Sequence, residues 1–293
     1  MKRTLLFYFL FLVLSFQMSA QLSDIARIDY TLIPGARSDV EFTRSRFLFN
    51  APIKLKGEET YLLLGLDYRN INLRFDDSDL AFNRGDLDDF QVLDFNICFT
   101  QPITDTWRLG LRVTPGISTN LTAKALSFED VTFSADVLFI KEKKIDDIKK
   151  ERLILGISYS GNRGFNFPLP FISFYRKWNP KWSFSLGIPK TNVQYHFTPK
   201  HRLKTYVELD GFTSNVQNGL VINDSEKATS INMSLIVGGL QYEYHLTKHW
   251  QLYARTSYIF SMRNKLRNED RDNIYTITNE STAYLRTGIR FKI

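Results

Sequence analysis

The chain has 293 residues, of which 43% are hydrophobic and 14% aromatic, and a formal net charge of +7. Its mean hydropathy is −0.23, and beyond the first 20 residues no apolar run approaches the roughly 20 residues a helix needs to cross a bilayer, which excludes a helical membrane protein. A single cysteine, Cys98, excludes an internal disulfide framework. The pI of 9.3 comes without a basic helix or an aromatic-interleaved basic motif, so nucleic acid is not an expected partner.

The first residues read as an export signal. Lys2 and Arg3 precede an uncharged run from Leu5 to Phe16, followed by Gln17-Met18-Ser19-Ala20-Gln21. That is a basic n-region, a short apolar h-region and a small residue for cleavage after Ala20. The run of about 12 residues is too short for a helical anchor, and no cysteine follows the cut to carry a lipid. Residues 1–20 are therefore expected to be a signal peptide. Residues 21–293 show no Pro/Gly/Ser-rich linker and no change of periodicity, and read as one domain.

From there the chain alternates with a period of two, the mark of strands with one apolar face. Ile25 to Ile33 is a weakly patterned first strand. In Tyr61 to Phe75 the apolar set moves from Leu62, Leu64, Leu66 and Tyr68 to Ile71, Leu73 and Phe75. Leu93, Phe95, Ile97 and Phe99 oppose Asp94, Asn96, Cys98 and Thr100. Trp107 to Thr119 alternates without a break, and Val131, Phe133, Ala135, Val137 and Phe139 oppose Thr132, Ser134 and Asp136. Trp182, Phe184 and Leu186 continue the pattern, as do Val193, Tyr195 and Phe197. In Ile231 to Leu246 the apolar set moves from Ile231, Met233, Leu235 and Val237 to Leu240, Tyr242 and Tyr244, a switch that suggests a β-bulge at Gly238-Gly239. The last segment places Leu285, Ile289, Phe291 and Ile293 opposite Arg286, Arg290 and Lys292.

Connections alternate short and long. Lys56 to Glu59, Thr104 to Thr106, Asn179 to Lys181, Thr198 to His201 and Thr247 to His249 are tight, whereas Asp76 to Asp88, Thr119 to Phe128, Gly161 to Pro170, Phe212 to Thr229 and Met262 to Ser281 are long and polar. Short periplasmic turns, longer outer loops and an even strand number describe an all-β, transmembrane, antiparallel up-and-down β-barrel of the bacterial outer membrane. The count is about 14 strands, with 12 as the alternative because Ile188-Pro189-Lys190 makes an unusually tight outer connection. Trp107, Trp178, Trp182 and Trp250 all flank short turns, as a membrane-interface girdle requires. The face opposite the apolar one is charged with both signs, so the interior must be wet or ion-paired. Asp94, Arg108, Arg112, Asp136, Glu208, Arg255, Arg286 and Arg290 are the candidate pore-lining residues.

The turn motifs Asn179-Pro180-Lys181-Trp182 and Thr247-Lys248-His249-Trp250, the stretch from Leu186 to Tyr195 and the ending Gly288 to Ile293 resemble an uncharacterised outer-membrane β-barrel family common in Bacteroidota. The resemblance spans nearly the whole mature chain. It implies architecture and no catalytic residue. It also implies outer-membrane lipid and lipopolysaccharide as surroundings, and recognition of the C-terminal strand by the barrel-assembly machinery. Such barrels usually end on an aromatic residue, whereas this one ends on Ile293 with Phe291 two before it.

Function is less legible. Lysines crowd the short turns and aspartates and glutamates the long loops. His196, His201, His245 and His249 all fall in or beside short turns, away from the outer leaflet where lipid-modifying barrels act. No triad, metal or cofactor signature accompanies them. The leading expectation is a passive pore or small-solute transporter. A structural or surface-interaction barrel acting through its outer loops comes next, and a lipid-modifying enzyme third.

Overall fold

The computed structural model describes residues 24–35, 40–55, 57, 59–75, 84–123, 125–146, 149–223, 226–278 and 280–292. The expected signal peptide, 1–20, and the acidic cluster Asp76, Asp77 and Asp79 lie outside them. The strands are β1 (Ala26–Ile33), β2 (Val40–Lys54), β3 (Tyr61–Phe75), β4 (Asp89–Pro102), β5 (Trp107–Thr119), β6 (Val131–Lys144), β7 (Lys150–Ser160) and β8 (Leu169–Lys177), followed by β9 (Trp182–Ile188), β10 (Lys190–His196), β11 (His201–Asn223), β12 (Glu226–His245), β13 (Trp250–Arg267), β14 (Asn273–Thr278) and β15 (Ala283–Phe291).

Each strand from β1 to β13 pairs antiparallel with the next. β15 pairs with β13 on one side and with β1 on the other, in register from Ala26↔Phe291 to Leu32↔Leu285, which closes the ring. β14 pairs only with the far end of β13 and adds nothing to the wall. The wall therefore has fourteen strands. The twelve-strand alternative fails because β1 is a full member and Pro189 alone joins β9 to β10. Closure leaves no unpaired edge, which a sheet in hydrocarbon requires.

The short turns share one local device. Thr104 Oγ1, Thr198 Oγ1 and Thr247 Oγ1 accept the backbone N–H three residues on, from Trp107 at 3.1 Å, His201 at 3.1 Å and Trp250 at 3.0 Å. Asn179 Oδ1 does the same for Trp182 at 2.9 Å. A short acceptor side chain thus holds the turn where the strands have ended, and places the indoles at that end of the barrel. Trp178 and Trp182 stack with ring centroids 6.3 Å apart, and Lys141 lies over Trp107 at 5.5 Å. Outward-facing Ile28, Phe47, Phe95, Val137, Ile157, Leu252 and Leu285 are all more than a third exposed. An apolar belt of that extent is stable against lipid, not water.

The interior corrects two sequence expectations. In β12 the alternation never slips: Ile231, Met233, Leu235 and Val237 point inward on the same face as Gln241 and Glu243. In β3 the inward face likewise runs through Leu63, Asp67, Arg69, Ile71 and Leu73. The apparent phase switch is a change in what the inward face is made of, from charged at the short-turn end to apolar at the long-loop end. A register shift does occur nearby, on β13, where Phe260 is extra between Ile259↔Val237 and Ser261↔Ile236; Gly238-Gly239 is not a bulge.

Phe212 to Thr229 is also not a loop. β11 and β12 continue through it as a paired extension, and β13 runs on to Arg267. The strands from β6 to β10 stop lower. Above them β11 leans across the opening, pairing Asn215 in parallel with Thr119 of β5, while Ser118 Oγ donates to the Thr213 carbonyl at 2.8 Å. Eight strands, β1 to β4, β11 to β13 and β15, then build a dry core that includes Phe42, Ile71, Leu73, Phe90, Phe212, Met233 and Leu235, to which β5 to β10 contribute nothing. So the interior is dry in its upper part, contrary to the expectation that all of it is wet or ion-paired.

Candidate functional site: a charged interior beneath an apolar cap

Asp210 and Phe212, neighbours on the inward face of β11, mark the boundary between the two regions. Phe212 is fully buried, with the rings of Phe42 and Phe90 each 5.8 Å away. Asp210 receives Arg44 at 2.9 Å, Arg286 at 2.6 Å and the Tyr284 hydroxyl at 2.5 Å. Below it the pattern repeats. Glu208 takes Lys190 at 2.5 Å and also Arg255; Glu243 takes Lys204 at 2.5 Å and Arg290 at 2.6 Å; Asp67 takes Arg46 at 2.5 Å and Arg69 at 2.9 Å. Arg69 also reaches Asp94 at 2.9 Å, and Arg112 pairs with Asp136.

Each of four carboxylates is thus shared by two cations. This follows from the alternation of the strands, which sends every second side chain inward. Pairing offsets the cost of removing such charges from bulk water, yet the sharing leaves the interior with more positive than negative groups.

The network walls a cavity of about 960 Å³. Its ceiling is Asp210, Gly211 and Arg286; at the other end it reaches the short turns at Glu59, Thr104, Asp105 and Thr106. Arg108 pairs there with Glu59 at 2.7 Å. Twelve lining residues are arginine or lysine against seven aspartate or glutamate, and Asp29, Asp94, Asp136 and Glu243 pair with four of the twelve from behind the lining, which leaves a small cationic surplus. Inward Leu138, Ile140, Ile154 and Phe171 give it an apolar flank.

A family model described as a domain of unknown function (DUF6268) matches residues 54–292. The chain belongs to that family. Among curated proteins none matches. Among solved structures, the chain is similar to a NanC porin, at 10% identity over 92% of this chain and 100% of that one, with a TM-score of 0.40. It is similar to a KdgM porin in complex with disordered oligogalacturonate, at 8% identity over 91% and 99% of the two chains, with a TM-score of 0.38. It is also similar to LpxR from Salmonella typhimurium, at 10% identity over 92% and 100%, with a TM-score of 0.43.

Of the eight residues expected to line a pore, Arg108, Arg112, Glu208, Arg255, Arg286 and Arg290 border the cavity, and Asp94 and Asp136 stand behind it, paired with Arg69 and Arg112. They fall into separate ion clusters: Asp94 with Arg69, Arg112 with Asp136, Glu208 with Arg255, Arg286 with Asp210, and Arg290 with Glu243, while Arg108 sits at the short-turn mouth. Sequence reasoning missed Arg44, Arg46, Lys190 and Arg163. The first two were available in the alternation Thr43-Arg44-Ser45-Arg46-Phe47; Arg163 lies in a loop, where no periodicity flags it.

The histidines remain apart from the cavity. His249 Nδ1 lies 2.9 Å from the Lys292 carbonyl, and His201 Nδ1 contacts the Tyr242 hydroxyl at 2.5 Å. His196 Nε2 and Ser183 Oγ are 3.0 Å apart, a nucleophile-and-base distance, but Ser183 is fully buried and among the described residues no carboxylate accepts a hydrogen bond from the other ring nitrogen. Among the described residues no cluster of three His, Cys, Asp or Glu side chains could hold a metal. Half-buried Cys98 faces the cavity.

Proposed function

We propose that this protein is a gated solute transporter of the bacterial outer membrane, closed in this conformation. The observation that carries the reading is the division of the interior. A cation-rich cavity reaches the short turns, which on this reading face the periplasm, and the apolar core around Phe212 blocks the way to the outer mouth. A barrel kept only for strength would fill its interior throughout. A passive pore would have no dry cap, because permeating ions need a continuous wet path. Opening requires the extension of β11 and β12 to leave β5, to release the bonds of Asn215 and Gln217 to Asp130 and Asn120, and to unpack Phe212 from the core.

The test is single-channel recording of the refolded chain in a planar bilayer, with heat-modifiable gel migration as the check of folding. Rare openings in the wild type and frequent ones in a cap-weakened variant, Phe212→Ala, support the reading. Silence in both overturns it. That result would favour the second reading, contact with a partner through the rigid outer extension of β11 and β12, which projects beyond the low wall of β6 to β10.

A further inference from the structure

We propose that the interior cavity binds a small organic polyanion, a solute carrying two or more carboxylate or phosphate groups, against Arg46, Arg69, Arg112 and Arg163. This names the substrate class of the transport reading and rests on it.

The first observation is charge. Every carboxylate in this part of the interior is already engaged: Asp67 by Arg46 and Arg69, Asp94 by Arg69 and Asn162, Asp136 by Arg112. Arg163 is a fourth guanidinium facing the same space, and among the described residues no carboxylate lies within ion-pair distance of it. Four cations thus meet three anions, and beneath the cap the double loading of Glu208, Asp210 and Glu243 repeats the excess. Like charges at close quarters in a low-dielectric wall are unfavourable unless an anion joins them.

The second observation is that Arg163 is held in place. Asn162 Nδ2 donates to Asp94 Oδ1 at 2.7 Å, and the Asn162 carbonyl accepts the Thr213 N–H at 3.2 Å. On the other side the Gly164 carbonyl accepts Asn232 Nδ2 at 2.9 Å and Ser234 Oγ at 2.7 Å. Gly164 has φ +85, and a Cβ there would lie 2.2 Å from the Met233 carbonyl oxygen, so the loop fits only with glycine. A solvated arginine would not need its two neighbours bonded to three strands. Burial and the nearby Arg112 and Arg69 lower its pKa to about 10, which leaves it charged at neutral pH.

The third observation is the flank of Leu138, Ile154 and Phe171, which suits a carbon skeleton better than a bare inorganic ion. The volume of about 960 Å³ admits a solute of several fused or linked rings.

The experiment is calorimetric titration of the refolded full-length mature chain in detergent with benzene-1,3,5-tricarboxylate, with inorganic phosphate and glucose run alongside. The expected result is saturable binding of the tricarboxylate, weakened by raised salt, with weaker binding of phosphate and none of glucose. Arg163→Gln should lose about tenfold or more in affinity, and Arg163→Lys, which keeps the charge and reports on folding, about threefold. No saturable binding of the tricarboxylate, or equal binding by wild type and Arg163→Gln, overturns the proposal. The titration needs neither gradient nor current, so a barrel that binds but never conducts refutes transport and keeps this site. One that conducts but does not bind refutes the site alone.

Discussion

Asn215 of β11 pairs in parallel with Thr119 of β5, although five strands, β6 to β10, separate the two around the wall. What holds this contact is Asp130, fully buried in the short 3-10 turn before β6. Its Oδ1 accepts Asn215 Nδ2 at 2.7 Å, and its Oδ2 accepts Gln217 Nε2 at 2.7 Å and the Ser127 N–H at 2.8 Å. Asp130→Ala removes the acceptors and leaves Asn215 and Gln217 with donors unmet. Each charge-assisted bond contributes about 1.5–3 kcal/mol. Loss of one such bond corresponds to a rise of at least tenfold in the open fraction, since 1.4 kcal/mol is a factor of ten. Single-channel recording of a variant shown by gel shift to be folded checks this, and an unchanged open fraction would remove Asp130 from the closing device.

The same carboxylate gives a pH dependence. Burial opposes its ionisation, and the bonds from Ser127, Asn215, Thr119 and Gln217 outweigh burial, so its pKa lies below the ordinary carboxylate value. A carboxylate depressed in the closed state stabilises that state above the ordinary value of about 4 and ceases to do so as pH falls through the depressed one. Closure is therefore expected to be constant from neutral pH down to about 4 and to weaken only below it. Open probability recorded from pH 7 to pH 3 checks the sign. In Asp130→Asn this acid limb should disappear.

Phe212 tests the cap by packing alone. It has no exposure and contacts Phe42 and Phe90, so truncation to alanine should cost about 3–5 kcal/mol. Because none of the core comes from β6 to β10, the loss should fall on the cap more than on the wall. Hydrogen exchange of refolded protein should show faster exchange in 212–222 and 228–237 and unchanged protection in β6 to β8. Uniform acceleration around the ring would mean that cap and wall melt as one unit.

The wall was legible in the sequence because lipid imposes a period of two on the outward face, and short turns such as Asn179-Pro180-Lys181-Trp182 carry their own hydrogen-bond acceptor. Strand number and the Trp positions follow from those two facts. The cap was not legible, because an apolar residue says only that it avoids water. Ile71 and Leu73 of β3, or Ile231 to Val237 of β12, read as lipid-facing until the continuous inward register shows them packed on one another. Periodicity placed Arg286 and Glu208 on the inward face but not their partners: Asp210 lies 76 residues from Arg286, and Arg255 lies 47 from Glu208. Ion clusters built from distant strands leave no local trace.

Glu243 provides the remaining test, of whether double loading of the carboxylates is structural. Its side chain is fully buried and serves Lys204, Arg290 and Gln251, the last at 2.7 Å. Glu243→Gln leaves two cations facing each other without an anion. Breaking a buried ion pair by removing one partner costs about 3–5 kcal/mol, whereas replacing the charges together is far milder. The double variant Lys204→Met/Glu243→Gln, which leaves Arg290 beside a neutral amide, should therefore recover part of the loss. Glu59→Gln, at an exposed pair with Arg108, should change stability by less than about 1 kcal/mol. Urea unfolding of the barrel in lipid vesicles orders the three. Added tricarboxylate should raise the midpoint of Glu243→Gln, since a bound anion stabilises the folded state by mass action; if the midpoint of every variant ignores it, the surplus charge is neutralised by solvent ions alone.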